Sequence, residues 1–283
     1  MMEQNQLIEK IVAEVVARMG SPAGAKQPGG AGAPGTVGAS GAQPGAIQSG
    51  ASSVSAVPAL GPGDIARYID HTMLRPEAPT AAFDKLCQEA LQYRFFSVCV
   101  NSCRVAYVAR KLQGSGVKVC SVVGFPLGAM TSRSKAFETR EALEDGASEI
   151  DMVINVGLLK SGDYHGVEED IRSVRRATRG NTLLKVIIET VLLTQEEKVM
   201  ACELSKKAGA DFVKTCTGFL GGGASVEDLS LMRSVVGRDM GVKASGGVRT
   251  YKTALSFIGA GASRLGCVSS VAIVTGAEGT GSY

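Results

Sequence analysis

Histidine is nearly missing from this chain. Its 283 residues include only His71 and His165, too little imidazole for the His-rich shell that catalytic zinc favours. Seven cysteines run from Cys87 to Cys267 without a Cys-x-x-Cys pair. That spacing suits neither a disulfide framework nor a zinc site and points to a reducing cytosol. No metal and no cofactor is expected. Apolar runs are short of the roughly 18–20 residues that a membrane span needs, so a soluble protein without a membrane partner is expected. Thirty basic residues against 27 acidic leave a net charge of +3, scattered along the chain, and no nucleic-acid partner stands out. Proline is scarce outside one stretch: six of the nine prolines and 12 of the 36 glycines fall between Gly20 and Gly63.

That stretch, residues 20–63, holds 28 Gly, Ala or Pro residues and a single charge, Lys26. It has almost nothing to bury against the entropy of ordering, and it reads as a disordered linker. Before it, in residues 1–19, Leu7, Ile8, Ile11, Val12, Val15, Val16 and Met19 recur on one helical face while Glu9, Lys10, Glu14 and Arg18 occupy the other. An isolated helix of about 15 residues is marginal in water, so the apolar stripe calls for a partner surface. A short amphipathic helix tethered by small residues resembles the encapsulation peptides of bacterial microcompartments. The resemblance implies a shell-protein partner for residues 5–19 and places the protein in the cytoplasm, within a microcompartment lumen. Packing on its own domain or self-association remains the alternative.

Residues 64–283 number 220, enough for one large single-core domain. Strand-like runs cover Ile65–Asp70, Ser97–Asn101, Val117–Val123, Glu149–Asn155, Leu183–Glu189, Asp211–Thr215, Gly241–Ser245 and Ser263–Gly266. Amphipathic segments alternate with them, over Ala81–Tyr93, Ser134–Asp145, Val167–Thr178, Gln195–Ala208, Val226–Val236 and Thr250–Gly259. This α/β order predicts a (β/α)8 TIM barrel. A doubly wound sheet is the alternative, and it lacks a Gly-x-Gly-x-x-Gly turn after the first strand.

Several strands carry charge where a barrel would bury it. A period of two puts Asp151 and Asn155 on one face of the fourth strand, and Lys185 and Glu189 on one face of the fifth. Asp151, Lys185, Lys214 and Lys243 would then point into one interior from four successive strands. Burying ammonium groups without partners is costly, so the cluster calls for a purpose. A lysine with a neighbouring ammonium in a partly desolvated site is a Schiff-base nucleophile, and an adjacent aspartate can shuttle protons. Lys214 and Lys243 meet the first requirement, and Asp151 the second.

The motifs Ile69-Asp-His-Thr-Met-Leu-Arg-Pro76, Val123-Gly-Phe-Pro-Leu-Gly128, Glu149-Ile-Asp-Met-Val-Ile-Asn-Val-Gly157, Lys185-Val-Ile-Ile-Glu-Thr190, Ala208-Gly-Ala-Asp-Phe-Val-Lys-Thr215 and Lys243-Ala-Ser-Gly-Gly-Val-Arg-Thr250 together resemble those of the deoxyribose-phosphate aldolases. The resemblance spans residues 65–275. It implies a class I aldolase that reversibly cleaves 2-deoxy-D-ribose 5-phosphate to D-glyceraldehyde 3-phosphate and acetaldehyde. It implies Lys214 as the Schiff-base lysine, Lys243 as the lysine that perturbs it, and Asp151 as the acid/base group. Lys185, Asp70 and a C-terminal Tyr283 would support them, and the substrate phosphate would lie on Gly218, Gly246, Gly247, Gly266 and Ser269. A homodimer fits the family. Val268 and Cys216 stand where serine is usual, and Cys99 matches a cysteine near the substrate channel of some relatives. A weakly active scaffold, or a Schiff-base aldolase for another phosphorylated sugar, are the competing readings.

Overall fold

The computed structural model describes residues 60–277 together with Ala13 and Gly279. Apart from Ala13, the expected N-terminal helix lies outside the described residues, as do residues 20–59 of the linker and Tyr283. Eight parallel strands close into a barrel in sequence order, β1 pairing with both β2 and β8. They are β1 (Ile69–Met73), β2 (Ser97–Val100), β3 (Lys118–Val123), β4 (Glu149–Val153), β5 (Leu183–Ile187), β6 (Phe212–Lys214), β7 (Gly241–Ser245) and β8 (Arg264–Cys267). The helices among the described residues are α1 (Thr80–Tyr93), α2 (Val105–Leu112), α3 (Ser132–Glu144), α4 (Val156–Lys160), α5 (Tyr164–Ala177), α6 (Gln195–Lys207), α7 (Val226–Val236), α8 (Tyr251–Gly259) and α9 (Ser270–Thr275). The expected (β/α)8 barrel is the observed fold.

Hydroxyl side chains set where several helices begin. Thr194 Oγ1 accepts the Glu197 N–H at 3.3 Å while Glu197 Oε2 accepts the Thr194 N–H at 2.8 Å, a reciprocal cap on α6. Ser225 accepts from the Asp228 N–H at 3.0 Å to start α7, and Thr250 from Thr253 at 3.1 Å to start α8. Each such cap is worth about 1 kcal/mol. Together they place the helix N-termini at the carboxyl end of the strands, where barrel sites are built.

The alternation of the strands sorts their side chains. Ile69, Val98, Ile150, Met152, Leu184, Val186, Val213, Val242 and Leu265 join the continuous apolar core shared with the helices. Their neighbours along the strands, Asp70, Ser97, Glu149, Asp151, Lys185, Lys214, Lys243 and Arg264, are buried polar groups of the barrel interior.

Two local expectations fail. The run Ile65–Asp70 is not a strand: residues Pro62–Tyr68 form a 3-10 helix, and β1 begins only at Ile69. Pro62 presets the helical φ of the first turn, and Asp64 Oδ2 takes the Gly61 N–H at 2.9 Å. Ile65 and Ala66 are both buried, and this turn packs against α9. The seventh strand keeps its expected bounds, the other strands shift by one or two residues at their ends, and this matters at two of them. β4 stops at Val153, so Asn155 does not share the face of Asp151; its Oδ1 instead caps α4 by accepting the Leu158 N–H at 3.2 Å. β5 stops at Ile187, so Glu189 also lies beyond the period of its strand. Between β2 and β3 the structure adds α2, whose buried Val105, Val108 and Leu112 carry the helical spacing in the sequence.

Candidate active site

The floor of the barrel is made by Arg264. Its guanidinium lies 3.6 Å from the centroid of Phe96 and 5.4 Å from that of Phe212, and Nη1 donates to Asp70 Oδ1 at 2.8 Å and Glu149 Oε2 at 3.0 Å. A planar cation that stacks and forks in this way can be buried without losing its partners. Gly241 makes room beside it, since a Cβ there would fall 2.1 Å from the Phe212 ring.

Asp151 stands at the centre of the interior. Its Oδ1 lies 2.9 Å from Lys185 Nζ, and its Oδ2 lies 2.9 Å from Lys214 Nζ and 2.6 Å from Lys243 Nζ. Cys120 Sγ donates to Oδ1 at 3.2 Å. Lys243 also pairs with Asp70 Oδ2 at 2.5 Å, and Lys185 with Glu149 Oε2 at 2.6 Å and with Asp70 Oδ2 at 4.0 Å. The four proposed core groups, Asp151, Lys185, Lys214 and Lys243, and the supporting Asp70 are thus brought together. Glu149 and Arg264 complete the network, and both could have been found by extending the period of two from Asp151 and along the last strand.

Burial presses each of these groups toward its neutral form, and the neighbouring charges decide the outcome. Desolvation raises the Asp151 pKa, but Lys185, Lys214 and Lys243 outweigh it and hold the carboxyl well below its ordinary range. Desolvation likewise opposes the Asp70 carboxylate, and Lys243, Arg264 and Lys185 overcome it. Lys243 is pushed in the opposite direction to a simple cluster of ammonium groups: burial lowers its pKa, yet Asp151 and Asp70 raise it well above normal. The same balance, led by Asp151, raises Lys185. Lys243 and Lys185 are therefore fixed ammonium groups.

Lys214 differs from its neighbours in what holds it. Its only carboxylate contact among the described residues is Asp151, whereas Lys243 touches two carboxylates and Lys185 three. Three acids, Asp70, Glu149 and Asp151, face four bases, Lys185, Lys214, Lys243 and Arg264, so the cluster carries one positive charge in excess. The arrangement can supply a neutral amine, a carboxylate beside it and fixed positive charge around it.

The residues expected to bind phosphate fall into three settings. Gly218, Gly246 and Gly247 occupy the loops after β6 and β7 with φ of 84°, 85° and 78°, a conformation that favours glycine. The two loops are in contact, the Ala224 N–H donating to Gly246 O at 3.0 Å. Gly266 lies inside β8, where a Cβ would sit 2.2 Å from Ser245 Oγ and 3.2 Å from Lys243 Cε; this glycine gives the lysine its space. Ser269 precedes α9 and, with Val268, Thr72 and Lys85, lines a cavity of about 350 Å³ whose walls contain none of the interior lysines. Gly279 reaches the same cavity and its N–H donates to Arg249 O at 3.1 Å, in the loop after β7. His71 faces away from the lysines and braces α9 to α1, with Nδ1 at 2.8 Å from Ser270 Oγ and Nε2 at 2.9 Å from Glu89 Oε2. Cys99 is buried in register with Cys120, and Cys216, buried too, has its thiol pushed up to about 11 chiefly by desolvation.

Residues 65–276 match the model of the DeoC/LacD family aldolases. A protein of Brevibacillus brevis named deoxyribose-phosphate aldolase is 61% identical over 216 residues, covering 76% of this chain and 97% of its own. A protein of the same name from Streptococcus sanguinis is 60% identical over 217 residues, covering 77% and 98%. Among solved structures, the deoxyribose phosphate aldolase of Aeropyrum pernix, described as a unique tetramer, superposes with a TM-score of 0.72 at 33% identity, covering 76% of this chain and 91% of that one.

Proposed function

This chain belongs to the DeoC/LacD family of aldolases, and from that premise we propose that it cleaves 2-deoxy-D-ribose 5-phosphate reversibly through a Schiff base on Lys214. The observation that carries the assignment is the sharing of Asp151: three lysines lean on one carboxylate, and Lys214 has no other among the described residues. In the cleavage direction the neutral Nζ of Lys214 adds to the C1 carbonyl of the open-chain sugar, and loss of water leaves an iminium ion. The C3 hydroxyl gives up its proton, the C2–C3 bond breaks, and its electron pair moves toward the iminium as an enamine while D-glyceraldehyde 3-phosphate departs. Protonation of C2 and hydrolysis then release acetaldehyde and return the amine. Asp151 exchanges the protons of these steps, and the ammonium of Lys243 steadies each negative charge that develops. Lys185 and Asp70 hold Asp151 and Lys243 in place. Gly218, Gly246, Gly247 and Ser269 take the phosphate, and Gly266 acts through the room it leaves for Lys243.

Borohydride reduction in the presence of acetaldehyde tests the assignment. A reduced adduct on Lys214 is expected, and active enzyme whose Lys214 stays unlabelled would overturn it.

The second part of the proposal concerns the ends of the chain. The family model begins at residue 65, and the Brevibacillus brevis relative is matched over nearly its whole length by about three quarters of this chain. We read residues 5–19 as a helix that docks on a microcompartment shell protein and residues 20–63 as its tether, with the aldolase enclosed where a volatile, reactive aldehyde is useful. Removing residues 1–20 should leave turnover unchanged and abolish co-localisation with shell protein; retained encapsulation would defeat this reading. Tyr283 is assigned to proton relay at the site, and its deletion should lower kcat without preventing adduct formation.

A further inference from the structure

Glu189 is fully buried beside the site and belongs to none of the ion pairs described above. Its backbone is left-handed, with φ 58° and ψ 62°. A non-glycine residue pays sterically for that conformation unless its surroundings require it. The other such residue among those described, Arg94 with φ 54°, closes the C-terminus of α1, where a left-handed cap is ordinary. Glu189 ends no helix. It lies just past β5, where the chain is fastened to the end of β6: the Ile188 N–H donates to Lys214 O at 3.0 Å and the Thr190 N–H to Thr215 O at 2.9 Å.

Between those two fastenings the Glu189 side chain meets the next segment of the β6 loop. Its two oxygens accept the Thr217 N–H at 3.3 and 3.2 Å. Thr217 Oγ1 in turn accepts the Phe219 N–H at 3.2 Å, and the Phe219 ring meets Phe125 edge to face with centroids 5.1 Å apart. One buried carboxyl therefore sets the path of Thr217, Gly218 and Phe219, carrying the loop from the nucleophile's own strand across to the loop after β3.

We propose that Glu189 is a positioning residue of the aldolase, which acts through the Thr217 N–H to hold the β6 loop where Gly218 meets the phosphate of the substrate. The role follows from hydrogen-bond geometry and requires an acceptor at this place more than it requires a charge. Burial raises the Glu189 pKa, while the Thr217 hydrogen bonds and Lys214 oppose the rise. The inference rests on the phosphorylated-sugar reading above, and its test separates the two.

Wild-type enzyme, Glu189→Ala and Glu189→Gln are compared on 2-deoxyribose 5-phosphate, on unphosphorylated 2-deoxyribose, and in borohydride trapping with acetaldehyde. Failure of the wild type on the phosphorylated sugar would sink the substrate reading by itself. If Glu189 positions the loop, Glu189→Ala loses on the order of 10²-fold in kcat/KM on the phosphorylated sugar, mostly through KM, since small displacements of a binding group cost that much. The alanine variant keeps its rate on 2-deoxyribose and still forms the Lys214 adduct, and Glu189→Gln, which retains a carbonyl acceptor, restores most of the loss. Glu189→Asn guards against a folding defect: asparagine tolerates the left-handed backbone but falls one methylene short, and it should behave as alanine does. Equal loss of trapping in the alanine and glutamine variants would mean that the carboxyl acts on Lys214 directly and would overturn the positioning role. Wild-type kinetics in the asparagine and alanine variants would overturn it as well.

Discussion

On one side of the barrel interior β4 to β8 and β1 bring Asp70, Glu149, Asp151, Lys185, Lys214, Lys243 and Arg264 within ion-pair reach of one another. On the other side β2 and β3 place Cys99, Cys120 and Val122, which pack with Leu74 against Phe125 and Phe219. The two sides meet at the contact of Cys120 Sγ with Asp151 Oδ1. The charged side leaves Lys214 the least-held cation, because it distributes three carboxylates unequally among four cations. The apolar side offers those charges no competing carboxylate, only the Cys120 thiol, and buries them against nonpolar side chains, so each ion pair acts in a low dielectric. Either side without the other would be an ordinary feature: a solvated salt-bridge network or a patch of core.

The sharpest way to break the comparison is to remove the least-held cation. Lys214→Met should abolish borohydride trapping and reduce kcat by about 10⁴-fold or more, as loss of a covalent nucleophile does. Its melting temperature should hold or rise, because the substitution removes the excess positive charge; a large loss of stability would contradict the ion-pair count.

Asp151→Asn attacks the same side from its centre. It should cost about 10²–10⁴-fold in kcat as an acid/base group is lost, and about 3–5 kcal/mol of stability, because three ammonium groups lose a shared partner. Denaturant titration of the two variants side by side distinguishes the outcomes, since only the aspartate variant should be destabilised.

Acid should act on the charged side in the same sense. Asp70 and Asp151 have folded pKa values depressed below their ordinary 3.8, so their contribution is complete at pH values above it. The unfolded chain takes up protons first as pH falls past that value, and the contribution drains away toward the lower folded values. Stability of the wild type measured from pH 6 downward should therefore fall more steeply than that of Asp151→Asn.

The smallest effect belongs to the apolar side. Val122→Ala should cost about 1–3 kcal/mol through a small cavity and lost burial, and leave the Lys214 adduct intact. A loss of trapping comparable to that of Lys214→Met would mean that the apolar side takes part in the chemistry.

Much of this site could be read from the sequence for one reason: a strand's period of two is local, so the charged positions among apolar neighbours declared Asp151, Lys185, Lys214 and Lys243 to be interior before any fold was known. The same rule misled at Asn155 and Glu189, because it carries no information on where a strand stops, and β4 and β5 stop at Val153 and Ile187. Ile65 and Ala66 looked like strand residues for a similar reason, their apolar pair being claimed by α9. What the sequence by itself determined is the succession of elements, the interior-facing residues and the family motifs, all properties of neighbouring positions. Which cation each acid would hold was decided only when the barrel closed. Arg264 meets Asp70 across 194 positions and Glu149 across 115, and the three lysines reach Asp151 from separate strands. Ion pairing depends on distances in space that closure of the sheet imposes, and it is that pairing which leaves Lys214 with a single carboxylate among the described residues.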